Sequence, residues 1–272
     1  MKTLRSSDRF FHLHNALTAT ALGVIALAVG LTPLRAQPIP VSNYSFESQV
    51  VNPIFFVDNR LDNWQKTPQP GWFTPSPQLT WNQTVGMFIG TPPFSPNPYS
   101  NLVGNQAAYM LPLPGAGIFQ DNLSMDWNGT VGGLNATFQP GYAYQFTLGV
   151  FGKQMVEGFS SMQLSLYYRD GANMVTVGTP TTIVFSASTF NPAGPFALID
   201  YSVTTPLVQA GDAWAGKNIG IKIESLMGDG NGYWDLDNVR LAQVVPEPTA
   251  LGLGLIGFGG FLYARVRARR AS

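Results

Sequence analysis

Trp64, Trp72, Trp81, Tyr99 and Trp127 are the residues best suited to contact a ligand. The first four fall in a stretch rich in Pro, Asn and Gln, and Trp127 lies between Asp126 and Asn128. Flat rings on polar loops stack on the C–H faces of sugars, and neighbouring amide and carboxyl groups take up hydroxyls. Core filling is the competing use of such rings, since aromatics dominate buried area. The other available chemistry is that of paired carboxylates, as in glycoside hydrolysis. Residues 37–245 hold 13 Asp+Glu, and sequence alone does not measure their separations. Much else is excluded. Cys is absent, so no disulfide, thiolate metal site or cysteine nucleophile exists. Both histidines, His12 and His14, lie near the N-terminus, so the rest of the chain has no histidine base, triad or zinc ligand. No G-x-S-x-G, S-x-x-K, H-E-x-x-H or P-loop pattern occurs. A non-catalytic protein is the resulting expectation.

Charge is segregated along the 272 residues. Residues 37–245 carry 7 Lys+Arg against 13 Asp+Glu, a net −6, while residues 1–36 and 246–272 each carry +3. An acidic middle speaks against nucleic acid as a partner. The basic ends have a topological reading. A basic n-region precedes the uncharged run Ala16–Leu31, then Pro33, Arg35 and Ala36. This is the order of a secretory signal peptide, with cleavage after Ala36 and an uncleaved anchor as the alternative. At the other end, Pro246-Glu247-Pro248 is followed by the uncharged, glycine-rich run Thr249–Ala264. Arg265, Arg267, Arg269 and Arg270 come next. An apolar helix with a basic end keeps that end in the cytoplasm.

The tripeptide, the apolar segment and the arginine cluster together resemble the PEP-CTERM sorting signal of exported proteins in Gram-negative bacteria that make exopolysaccharide. The resemblance implies an exosortase as processing partner. It also implies a membrane-anchored intermediate and a final place at the cell surface or in the extracellular matrix. The same type of tail closes some ice-binding proteins.

Between the two ends, the 209 residues of the middle read as one all-β domain. Tyr142, Tyr144, Phe146, Leu148 and Val150 alternate with small or polar residues, as do Met162, Leu164, Leu166 and Tyr168, and then Ile219, Ile221 and Ile223. Asp170-Gly171-Ala172-Asn173 marks a hairpin turn, with Met174–Val177 returning. Thr182–Ser186 and Ala197–Val203 are further β-rich runs, and Gly228–Gly232 is a turn into Tyr233–Leu241. Strands are placed near Leu79–Phe88 and Ala107–Leu111, with loops over the rest of 52–101. The predicted fold is a single β-sandwich flanked by a signal peptide and a transmembrane sorting helix.

Three short motifs resemble the galactose-binding-like jelly rolls, a fold that includes carbohydrate-binding modules. They are Val41-Ser42-Asn43-Tyr44-Ser45-Phe46-Glu47, Gly141-Tyr142-Ala143-Tyr144-Gln145-Phe146-Thr147 and Trp234-Asp235-Leu236-Asp237-Asn238-Val239-Arg240-Leu241. The resemblance implies a structural calcium held by Glu47 and Asp237, the competing reading being solvated or ion-paired carboxylates. Asp229, Asn231 and Asp235 have alternate-residue oxygens but not the order of an EF-hand, and a tight turn explains them. The leading expectation is an exported, exosortase-sorted, non-catalytic surface or matrix protein that binds polysaccharide through Trp64, Trp72, Trp81, Tyr99 and Trp127, requiring no cofactor. The alternatives are a structural matrix protein, an ice-binding protein and a carboxylate-based carbohydrate-active enzyme.

Overall fold

A computed structural model describes residues 36–54, 57–92, 99–155, 157–190 and 196–244. The signal peptide and the sorting tail read from the sequence lie outside these residues. Among the described residues, no helix is long and apolar enough to cross a membrane.

The described chain is all-β, with two antiparallel sheets packed face to face. Its strands are β1 (Gln37–Ile39), β2 (Val57–Asp58), β3 (Gln65–Lys66), β4 (Val85–Ile89), β5 (Gln106–Met110), β6 (Gly117–Gln120), β7 (Ala143–Lys153), β8 (Ser161–Asp170), β9 (Asn173–Val184), β10 (Ile199–Thr204), β11 (Gly220–Met227) and β12 (Tyr233–Val244). A 3-10 turn, Trp81–Gln83, precedes β4, and one helical turn, α1 (Ala187–Phe190), follows β9. The first sheet runs β10-β7-β12-β5-β4-β2, with β1 on β12; the second runs β3-β6-β11-β8-β9.

Period-2 alternation builds the interior. Phe146, Leu148 and Val150 of β7 and Trp234 and Leu236 of β12 face Met162, Leu164 and Leu166 of β8 and Ile221 and Ile223 of β11. All lie in one buried cluster. Met174–Val177 and Thr182–Ser186, expected as separate runs, belong mainly to the single strand β9, whose register on β8 shifts between Leu164 and Leu166. The run near Leu79–Phe88 begins instead as the capped 3-10 turn, where Gln83 accepts the Thr80 N–H at 2.7 Å. Strand β6 has too few residues to show a period.

β12 is the spine of the first sheet. It pairs with β7 along its length. Its other edge meets β5 at Trp234–Leu236 and β1 at Leu241–Gln243. A bulge between Asp237 and Arg240 makes this change of neighbour, with Asn238 at φ 56° and the Val239 N–H donating to the Tyr44 carbonyl.

Candidate active site

Alternation along β12 sends Trp234 and Leu236 into the interior, so Asp235 and Asp237 project from the opposite face of the sheet. Cross-strand register sets Asp235 opposite Phe151 of β7 and Tyr109 of β5, and Asp237 opposite Gly149. Such a face is ordinarily wet, yet both carboxylates are fully buried. Two loop segments cover them. Residues 99–105 follow β4, and residues 196–198 precede β10. The Asn101 amide joins them: it donates to the Leu198 carbonyl at 2.8 Å and accepts the Leu198 N–H at 2.8 Å, like a rung of a β-ladder. The Ser100 N–H donates to the Phe196 carbonyl at 2.9 Å. The roof lies close at Gly149, where an added Cβ would stand 3.2 Å from the Leu198 Cβ.

Under this roof, the Tyr99 hydroxyl donates to Asp235 Oδ2, while Asp235 Oδ1 is buried without a protein partner. Aromatic rings surround the pair. Tyr99 and Phe151 meet edge to face at 5.2 Å, while Phe151 and Phe196 at 4.9 Å and Tyr99 and Phe196 at 6.3 Å are tilted pairs. The Lys153 ammonium lies 5.8 Å from the ring centres of both Phe196 and Tyr233. Burial pushes the Asp235 carboxyl up to about 7, against the opposing pull of the Tyr99 hydrogen bond and the Lys153 charge. Burial pushes the Tyr99 hydroxyl well above its ordinary range, reinforced by Asp235, so Tyr99 is a donor and not a base. Below about pH 7 this corner holds a carboxylic acid with its carbonyl-type oxygen occupied by Tyr99. Its second oxygen, Oδ1, then carries the proton and meets no acceptor among the described residues.

Asp237, next along this face, meets the opening motif. Its Oδ2 accepts the Val103 N–H at 2.7 Å, and its Oδ1 is buried without a partner. Glu47 Oε1 accepts the N–H groups of Asn105 at 2.7 Å and Gln106 at 2.6 Å. Burial first, and the Glu47 charge last, push Asp237 up to about 7, while N–H donors from Val103 and Asn238 pull the other way. Two crowded carboxylates and an orphaned oxygen suit a hard cation. Among the described residues, no three Asp, Glu, His or Cys side chains converge on a metal position, so backbone or solvent oxygens would have to complete the shell.

The expected ligand platform is dispersed. Trp64 is 3% exposed and Trp81 7%. Each is a core residue whose indole N–H donates to a main-chain carbonyl, Asn43 at 3.1 Å and Thr67 at 2.7 Å respectively. Tyr99, 7% exposed, is spent on Asp235. Trp72 and Trp127 are exposed at 54% and 62%. Trp72 stands edge-on to Phe73 and Trp81, whereas Trp127 lies against the Arg60 guanidinium. The loops of the polar first half turn several of these rings inward. Asp229 belongs to a turn, as its spacing suggests, bonding the Asn231 N–H and side-chain amide at 3.0 and 2.7 Å. Asp235, which its spacing groups with that turn, lies instead within β12 and is buried. The missed signal is the alternation Trp234-Asp235-Leu236-Asp237 itself, which places two acids on one face of a mid-sheet strand.

Fold and site together are an all-β sandwich that holds a buried carboxyl in an aromatic setting. The sequence profile of the HpiC1-like family, described as HpiC1 cyclase, matches residues 37–242, and the chain belongs to that family. Solved structures agree in fold. The Stig cyclase Fisc from Fischerella sp. TAU, in complex with (3Z)-3-(1-methyl-2-pyrrolidinylidene)-3H-indole, is 20% identical. The match covers 78% of this chain and 100% of that one, at a TM-score of 0.52. A cyclase from Fischerella sp. TAU is 19% identical over 79% of this chain and 100% of its own, at 0.54. A cyclase from the same source with 4-(1H-indol-3-yl)butan-2-one is 20% identical over 78% and 99%, at 0.53. No curated protein matches the chain. Membership of a cyclase family overturns the expectation of a non-catalytic, polysaccharide-binding surface protein. Its non-catalytic part rested on the absence of His, Cys and the common catalytic motifs, which leaves acid catalysis by a buried carboxyl untouched.

Proposed function

We propose that this chain is an acid-triggered cyclase of an apolar, aromatic substrate, with Asp235 as the proton donor. The observation that carries this reading is Asp235 Oδ1, buried, unpartnered and set among the rings of Tyr99, Phe151 and Phe196. In the proposed reaction the Oδ1 proton passes to an electron-rich carbon or heteroatom of the substrate, leaving Asp235 as carboxylate. An internal π-bond then attacks the cationic centre and forms the ring bond. Loss of a proton from the new cation to Asp235 restores the acid. The sequence is an isomerisation and uses no redox partner. Tyr99 donates more strongly to Oδ2 as charge develops there, and the aromatic faces stabilise the transient cation. The indole ligands of the solved relatives support an indole-bearing substrate here.

The test uses 4-(1H-indol-3-yl)butan-2-one as binding probe and indole-bearing polyenes as substrates. Asp235→Asn keeps the shape and Tyr99 contact but has no acidic proton. Retained probe binding with loss of cyclisation by at least about a hundredfold is the expected result. Undiminished turnover in Asp235→Asn refutes the assignment.

The second, structural element of the proposal is a calcium ion at Glu47 and Asp237. There it would neutralise two crowded carboxylates and tie the opening motif to β12. The apolar, basic-flanked segments at residues 1–36 and 246–272 support export of this enzyme and exosortase processing at Pro246-Glu247-Pro248. Fractionation of cells expressing the full chain, with and without the arginine cluster, tests that address.

A further inference from the structure

Lys66 stands apart from the acid site and its side chain ends in a cluster of main-chain oxygens. Its Nζ donates to the Asn59 carbonyl at 2.6 Å, to the Val85 carbonyl at 2.5 Å and to the Asn82 carbonyl. These oxygens come from three separate segments: the stretch after β2, the 3-10 turn and the first residue of β4. Three converging acceptors match the three donors of an ammonium, and a neutral amine leaves one of them unmet. The nearest carboxylate does not complete an ion pair with Lys66. Asp58 is held by Arg60, whose Nε lies 2.9 Å from both of its oxygens. Asp58 acts on Lys66 only as a nearby charge. Burial works the other way and presses the amine down to about 7. The cluster also forms one wall of a cavity of about 300 Å³, lined by Asn59, Arg60, Trp64, Lys66, Asn82 and Trp127 among others.

Main-chain oxygens with no carboxylate among them suit a singly charged cation better than a divalent one. We propose that the carbonyls of Asn59, Asn82 and Val85 form a monovalent-cation site that the chain fills with its own Lys66 ammonium. With Lys66 shortened, the same oxygens take a free ammonium-type cation from the cavity. Lys66 thus acts as a built-in counterpart of a structural cation, fixing three loops around the Arg60–Trp127 platform.

The experiment uses the full chain at pH 6, where the amine is protonated. Lys66→Ala is melted in increasing methylammonium chloride, with tetramethylammonium chloride at equal ionic strength as the control that has no N–H to donate. The expected result is a saturable rise in Tm of about 4 °C at roughly ten times the half-saturating concentration. It is seen with methylammonium only, and in the variant only. Equal responses to the two salts, or an equal response of the unsubstituted chain, overturn the proposal. Should Lys66→Ala fail to fold, nitrogen-15 NMR of the unsubstituted chain decides. One lysine ammonium, assigned through its coupling to the Val85 carbonyl carbon, is expected to exchange its protons at least about tenfold more slowly than the other lysines. A spectrum with no slowly exchanging ammonium overturns the proposal.

Discussion

Replacing Asp235 by asparagine is expected to stabilise the protein at alkaline pH while abolishing its activity. The folded carboxyl titrates near 7 against an ordinary 3.8. The folded state therefore binds one proton more than the unfolded state between those values, and stability falls as pH rises through that window. At about 1.36 kcal/mol per pH unit, ionising this buried group at pH 8 costs about 4 kcal/mol. The substituted amide never ionises and still accepts the Tyr99 hydroxyl. Asp235→Asn should then match the parent chain only below about pH 4 and exceed it by about 1.5 kcal/mol at pH 5 and about 4 kcal/mol at pH 8, the latter roughly 10 °C in Tm for a domain of this size. Asp237 titrates in the same window, so both proteins carry its effect and the difference isolates Asp235. Calorimetric melts at pH 5, 6, 7 and 8, all in EDTA, provide the assay. A parent Tm that is flat over this range, or a variant less stable than the parent at pH 8, refutes the argument that Asp235 is a buried neutral acid. The same logic sets the activity profile: turnover falls as pH rises through about 7, since only the protonated form donates.

Other substitutions separate interior from surface. Trp64→Ala, which removes a core ring and its bond to Asn43, should cost about 3–5 kcal/mol in chemical denaturation. Trp72→Ala, at an exposed ring, should cost about 1 kcal/mol or less; the reverse order would contradict their placement. Gly220→Ala would set a Cβ 2.2 Å from the Tyr167 ring and displace a hydroxyl that bonds Asp121 at 2.6 Å. A loss of about 1–3 kcal/mol is expected, and an unchanged melt would mean that the ring moves freely. If calcium sits at Glu47 and Asp237, EDTA lowers the Tm of the parent chain and leaves that of Glu47→Gln unchanged. An EDTA-insensitive parent removes the metal.

Much of the sandwich was legible because its central strands each bury one face, which writes a period of two into β7, β8 and β11. The turns at Gly171 and Gly228–Gly232 were legible for a local reason: glycines there adopt positive φ, at 61° for Gly171 and 81° for Gly230. The short strands β1, β2, β3 and β6 were not, since two to four residues carry no period. The site was harder still. Whether Trp64 or Tyr99 faces water depends on how a proline-rich loop folds back, a long-range matter on which local composition is silent. Asp235 was visible as a residue but not as an acid. Its proton is held by burial beneath residues 99–101 and 196–198, which are distant from it along the chain. Family resemblance pulled the reading further, because the jelly-roll motifs report the spine and its bulge and say nothing of the chemistry on the outer face.

The acid and the groups that surround it are secured in different ways, and this bears on how such an enzyme diversifies. Asp235 is gripped on both sides by the main-chain ladders of β7 and β5, so its position owes little to any side chain. Tyr99 and Phe196 ride on loops, stitched to each other by Asn101. Under the proposed mechanism, natural variation can therefore exchange the mould around the substrate, and with it the shape of the ring that closes, without disturbing the proton source. Because the stitch couples the two loops, their lengths and sequences are expected to change together: the inheritable unit of product choice is the pair.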